Sequence, residues 1–160
     1  MHREYGARNP RGFEGYDRNL WGITAGDGPG DREMRQGRRD RRFFGYMSRG
    51  VPFGPDDGTI APWAMLATLP FNAEAALSGT RHLLETYPQV CCNGRLSSGF
   101  NPTLPGRGSG WLSDGCYGLD QGLLVMMIEN HRTGLLWEIT RRCPTFRAGL
   151  TRAGFSGGWL

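Results

Sequence analysis

Leu119-Asp120-Gln121-Gly122-Leu123-Leu124-Val125-Met126-Met127-Ile128-Glu129-Asn130-His131-Arg132-Thr133-Gly134 is the stretch on which the fold turns. Leu119, Leu123, Met126 and Met127 repeat at helical spacing, and Leu124, Val125 and Ile128 add apolar surface around them. The pattern predicts a mostly buried helix over Leu119 to Thr133, ended by Gly134. Beyond it, Leu135, Leu136 and Ile139 begin a short helix that stops near Cys143-Pro144, and a last one carries Phe146, Leu150 and Phe155. Upstream, Thr59 can cap a helix with Pro62 in its first turn and Trp63, Leu66 and Leu69 at helical spacing, ending at Pro70. Asn72 is a good cap for the next, which runs through Ala76, Leu77, Leu83 and Leu84 towards Pro88. The short link Leu69 to Asn72 makes these two an antiparallel hairpin. Helical hairpins without a credible strand place the chain among all-α folds.

The 160 residues suit one domain or part of one. With 26 glycines and 10 prolines, long loops should separate short helices. The stretch from His2 to Gly22 mixes Tyr5, Phe13, Tyr16 and Trp21 with polar residues, without a capped helix start, and reads like the middle of a domain. Gly26 to Gly30 is a breaker cluster. Asp31 to Arg42 holds six arginines and few apolar residues, and reads as a solvated loop that a Gly-Ser linker could replace with the fold intact. All 19 basic residues are arginine, which reflects genome composition, and the net charge of +4 is modest. With no aromatics interleaved among the arginines of that loop, nucleic acid is not the expected partner. Cys91 to Gly118 is the longest loop and therefore a functional candidate.

Cys91, Cys92, Cys116 and Cys143 have no metal-ligand spacing and read as buried thiols. No metal or cofactor is implied. No apolar run reaches a membrane span, and the first residues lack the apolar core of a signal peptide, so localisation stays open. There is no G-x-S-x-G, no G-x-x-x-x-G-K and no H-E-x-x-H, and the G-x-G runs at Gly26 and Gly106 follow no strand.

Among the carboxylates, Asp120 stands at the start of an apolar helix after a glycine-rich loop. The positive end of the helix favours its ionised form, which suits a base that activates water; the plainer reading is a first-turn Asp that favours the dipole. Glu129 can pair with Arg132 one turn on, and His131 reads as a hydrogen-bonded helix-end residue. Asp27, Asp56 and Asp57 lie in glycine-bounded loops, where carboxylates make turns or reach sugar hydroxyls. Trp21, Phe100, Trp111 and Tyr117 could stack on sugar faces, whereas Trp63 reads as core.

Four blocks resemble the bacterial glucoamylase-like family, which includes β-1,2-glucan-degrading enzymes and the glucan-processing part of cyclic β-1,2-glucan synthases. They are Trp21 to Pro29 (W-G-I-T-A-G-D-G-P), Asp57 to Pro62 (D-G-T-I-A-P), Phe100-Asn101-Pro102, and Leu119 to Gly122 with Met127 to Leu135. Leu123 stands where the family commonly has Pro, and Gly26 where it commonly has Ser or Cys. The resemblance implies an α/α toroid of six helical hairpins around a sugar cavity, of which residues 1–160 would be the C-terminal portion, an incomplete ring. It implies Asp120 as the general base, an upstream general acid, and a sugar-binding set of Asp27, Trp21, Asp57, Phe100, Asn101, Trp111 and Gln121. The expected partner is a β-glucan oligosaccharide or polysaccharide, cleaved or transferred by the intact parent, with β-1,2-glucan first and the chain inactive alone. The alternative is a non-catalytic sugar- or partner-binding remnant, and an arginine-mediated nucleic-acid binder ranks third.

Overall fold

The computed structural model describes residues 1–105 and 110–158, so the Gly106 to Gly108 G-x-G lies outside the described residues. The chain opens on a helix, α1 (His2–Arg8), where no helix was expected. It has no side-chain cap; tertiary contacts fix it instead. A Cβ on Gly6 would lie 2.6 Å from the Asp17 carbonyl, so only glycine allows this approach. Asn9 ends the helix at φ 40, and its side chain both donates to the Phe13 carbonyl (2.7 Å) and accepts from the Phe13 N–H (2.9 Å).

Strands are present, which corrects the strand-free expectation. Among the described residues four two-stranded antiparallel sheets pair β1 (Ala25–Gly26) with β4 (Met47–Ser48), β2 (Arg32–Gln36) with β3 (Arg39–Phe43), β5 (Cys91–Cys92) with β6 (Arg95–Leu96), and β7 (Phe100–Asn101) with β8 (Trp111–Leu112). Three of these pairs are two residues long, too short to leave an alternating pattern in sequence. The expected arginine loop is the β2–β3 hairpin, turning at Gly37 (φ 63) and Arg38. Its alternation is hidden because an arginine takes a core-facing place: Arg41 and Phe43 are buried while their neighbours are exposed.

Of the predicted helices, α2 (Pro62–Leu66) is one short piece with Ala61 rather than Thr59 at its N-cap. α3 (Ala73–Thr86) starts as expected, with the Asn72 side chain accepting from the Ala75 N–H at 3.0 Å, and it packs on α2. α4 (Gly118–Thr133), α5 (Leu135–Arg142) and α6 (Pro144–Arg152) also fall where periodicity put them. Gly134 (φ 71) joins α4 to α5, and Asn130 Oδ1 accepts the N–H groups of Leu136 and Trp137.

One core gathers Phe13, Tyr16, Leu20, Ile23, Ile60, Met65, Leu83 and Phe100. A second joins Trp63, Ala67 and Leu96 to Leu124 of α4. α4 is not mostly buried: only Leu124 and Asn130 are, while Leu119 is 82% and Val125 64% exposed. Periodicity shows which residues are apolar, but not whether a neighbour exists to cover them. The thiols differ from expectation too, since Cys92, Cys116 and Cys143 are exposed and Cys91 half-buried. Among the described residues no helix is long and apolar enough to cross a membrane.

Candidate functional site

Three of the four sequence blocks are joined by backbone hydrogen bonds, and the fourth, at the start of α4, is bonded to the loop beside them. Ile60 and Phe100 exchange both N–H···O bonds at 2.9 Å, and the Ala61 N–H donates to the Gly22 carbonyl at 2.9 Å. Gln121 of α4 donates to the Leu96 carbonyl at 3.0 Å, fixing the start of α4 against the loops.

At the centre is a buried ion pair that sequence reading missed. Arg49 donates to both oxygens of Asp57, Nε to Oδ1 and Nη2 to Oδ2, each at 2.8 Å, with side-chain exposures of 1% and 0%. Its remaining donors reach the carbonyls of Gly26 (2.9 Å), Gly45 (3.2 Å) and Phe44 (3.3 Å). Burial alone would raise the Asp57 pKa, but the Arg49 pair and the Thr59 N–H hold the carboxyl below its ordinary value. The loop of Gly26, Asp27 and Gly28 is thus clamped from beneath. A Cβ on Gly28 would fall 2.2 Å from Arg49 Nη2 and 2.4 Å from the Phe44 carbonyl, which explains glycine there. No short-range signal marks Arg49, because its partners lie in three separate segments.

Four residues expected at the sugar, Asp57, Asn101, Phe100 and Trp21, are enclosed within the chain. Asp57 has no exposed surface, and its carboxylate is filled by Arg49 and the N–H groups of Phe44 and Thr59. Asn101 is equally enclosed, donating to the Asp57 carbonyl and Thr59 Oγ1 at 3.0 Å and accepting from the Thr103 N–H. Phe100 is fully buried, with its ring 4.8 Å from that of Tyr87. Trp21 is packed in the first core beside α3. These residues pack behind the accessible loops. Asp56 is likewise structural, accepting the hydroxyls of Tyr5 and Tyr16 at 2.8 Å.

Four expected residues remain at least partly accessible: Asp27, Trp111, Asp120 and Gln121. Asp27 Oδ2 accepts Ser113 Oγ at 2.5 Å, and Ser113 in turn accepts the Gly115 N–H. Its loop is thereby tied to the segment that leads into α4, a link through Ser113 that sequence reading also missed. Asp120 occupies the first turn of α4, and its carboxylate has no hydrogen-bond partner among the described residues. By i+4 and i+7 spacing it shares a face with Leu124 and Met127, the side turned towards the body of the chain. The opposite face, with Leu119, Val125 and Met126, is open. A cleft of about 180 Å³ opens beside Ser113, lined also by Gln89, Asn93, Arg95, Asp114 and Cys116. Neither Asp27 nor Asp120 lines it. Of the other expected pairs, Glu129 and Arg132 do meet, at 3.1 Å, on the exposed side of α4. Among the described residues, no group of three or more His, Cys, Asp or Glu could hold a metal ion.

The helical chain with small sheets is similar in fold to several solved structures. The family model described as "Putative glucoamylase" matches residues 1–144, and the chain belongs to this glucoamylase-like family. An exo β-1,2-glucooligosaccharide sophorohydrolase of Parabacteroides distasonis is 26% identical over 153 residues, covering 95% of this chain and 19% of its own. A structure from Bacteroides uniformis, described in the family's words, is 32% identical with a TM-score of 0.76, covering 100% of this chain and 34% of its own. The endo-β-1,2-glucanase of Chitinophaga pinensis, solved with sophorotriose and glucose, is 27% identical with a TM-score of 0.73, covering 99% and 34%. The chain thus spans between about a fifth and a third of the length of these relatives.

Proposed function

We propose that residues 1–160 are the C-terminal portion of a glucoamylase-like catalytic domain, an α/α toroid when entire, that cleaves or transfers β-1,2-linked glucan. The observation that carries this reading is the continuous match over nearly the whole chain to β-1,2-glucan-active relatives several times its length. In this reading Asp120 is the general base, and Asp27, Trp111 and Gln121 stand at the sugar. A base needs a free carboxylate near the substrate, and Asp120, unlike Asp56 and Asp57, is not consumed by internal hydrogen bonds. The general acid lies outside this chain. In inverting hydrolysis the acid protonates the leaving oxygen while the base draws a proton from water across a gap of about 6.5–9.5 Å. One carboxylate without the other leaves the chain alone inactive.

The test joins the chain to the remainder of the catalytic domain, supplied from one of the longer relatives, and follows release of reducing ends from linear β-1,2-glucan. The joined protein should turn over and the 160-residue chain should not. Asp120→Asn should lower the rate by about 10²–10⁴-fold with unchanged melting and sugar binding. Near-parental turnover by that variant would remove Asp120 from the chemistry and make Asp27 the next candidate.

A further inference from the structure

Asp27 is held at both ends. Its backbone is clamped from beneath, where Arg49 Nη1 donates to the Gly26 carbonyl at 2.9 Å and to the Asp27 carbonyl at 3.4 Å. Its side chain is held separately, by the Ser113 hydroxyl that donates to Oδ2 at 2.5 Å across 86 residues of chain. Among the described residues nothing bonds to Oδ1. Ser113 is buried and Asp27 only half-buried, so the tie runs from the interior and spares one oxygen for an incoming hydroxyl.

The polarity of this contact is fixed by the chain. The Gly115 N–H donates to Ser113 Oγ at 3.2 Å, and an N–H can only donate. The one hydroxyl proton of Ser113 is therefore left for Asp27. Ser113 is anchored in turn, its own N–H donating to the Gly99 carbonyl at 2.9 Å. Gly99 is also where the Asp27 backbone and the Trp111 ring converge. A Cβ there would lie 2.9 Å from the Asp27 carbonyl and 3.1 Å from the Trp111 ring, so glycine lets the aspartate and the indole lie side by side.

An aspartate side chain left to itself samples three staggered χ1 wells. We propose that Ser113 is a positioning residue, which selects one of these wells and so aims Oδ1 of Asp27 at a glucan hydroxyl beside the Trp111 ring. Ser113 does not touch the sugar; it acts through Asp27. The identity of the ligand rests on the glucan reading, whereas the fixing of the side chain does not.

Two measurements separate these. In the 160-residue chain, the Hα–Hβ couplings of Asp27 in nuclear magnetic resonance should report one rotamer in the parent and averaged rotamers in Ser113→Ala. In the joined protein, calorimetric titration with sophorotriose should show the consequence. Spreading Asp27 over three wells leaves about one third of the molecules competent, so affinity should fall roughly threefold. Asp27→Ala should lose more, and adding Ser113→Ala to it should cost nothing further. Ser113→Ala also frees the Gly115 N–H, so a loss that persisted in the absence of the Asp27 carboxylate would assign Ser113 to the loop before α4 and overturn the proposal. Unchanged couplings in Ser113→Ala would overturn it as well, even if melting fell, since Ser113 would then be structural only. A joined parent that bound no sophorotriose, with the couplings still averaged by Ser113→Ala, would refute the glucan reading and uphold the positioning of Asp27.

Discussion

Replacing Asp57 by alanine is the sharpest test of the account given for the loop clamp. The substitution leaves the Arg49 guanidinium buried, with carbonyl oxygens as its only remaining acceptors. It also strands the Phe44 and Thr59 N–H groups that Asp57 receives at 3.1 and 3.0 Å. Removing one partner of a buried pair costs about 3–5 kcal/mol. At about 2–4 °C per kcal/mol for a chain of this size, the melting temperature should fall by roughly 6–20 °C. Asp57→Asn, which keeps a neutral acceptor, should fall between. The assay is near-ultraviolet circular dichroism on heating, with exposed Asp114→Ala as a control expected within about 0.5 kcal/mol of parent. The acid response follows the same logic. Because the folded-state pKa of Asp57 is lowered, its contribution is fully present above the unfolded value of about 3.9 and is lost as pH falls towards the folded value. Melting of the parent should therefore decline in acid more steeply than that of Asp57→Ala. If Asp57→Ala melts within about 2 °C of parent and instead loses affinity for saccharide, the clamp is refuted and the sugar-contact expectation restored.

Further outcomes follow from the side of α1 and the hairpin. Arg41→Ala should cost about 1–3 kcal/mol in denaturant titration, because the Gly12 carbonyl loses its guanidinium donor; Arg41→Lys should recover little of it, since one ammonium cannot reproduce the fork. By the same contacts, a Gly-Ser linker in place of the hairpin should destabilise the chain rather than leave it intact. Spectrophotometric titration of the phenols should show Tyr5 ionising near pH 12, raised by burial and by its bond to Asp56, with Tyr16 also raised well above its ordinary value by burial and by Asp56. The raised folded values mean that this stabilisation is complete below about pH 10 and fades above it, so Tyr16→Phe should flatten the alkaline loss of stability.

The helices were legible where a local signal exists: the Asn72 cap, Gly134 at the α4–α5 junction, and the apolar repeat of α4 each specify structure within one or two turns. The sheets were not, because two-residue strands carry no period and Arg41 occupies a core-facing place with a charged side chain. At the candidate site the limit was of another kind. Motif resemblance singled out Asp27, Asp57, Asn101 and Asp120 alike, but it could not tell which of them are enclosed or tied to other segments and which stay accessible. That distinction depends on Arg49 and Ser113, which reach their partners across 8 and 86 residues of chain.

α4 shows why that distinction matters for function. Asp120, Leu124 and Met127 form its packed side, while Leu119, Val125 and Met126 present apolar surface to water on the other. Apolar surface on a helix with a regular repeat is normally buried, at about 25 cal/mol per Å². Under the proposed reading, the rest of the catalytic domain lies against that open face, which makes α4 a wall with helices behind it and the sugar site at its N-terminal end. A wall buried on both sides is rigid, and rigidity is what a general base requires, since a misplacement of about 1 Å costs on the order of 10²-fold in rate. Polar replacement of Val125, on the open face away from Asp120, should then lower turnover of the joined enzyme through loss of packing, while leaving the melting of the 160-residue chain almost unchanged. Equal loss in both would place the covering surface within these residues and contradict the layered arrangement.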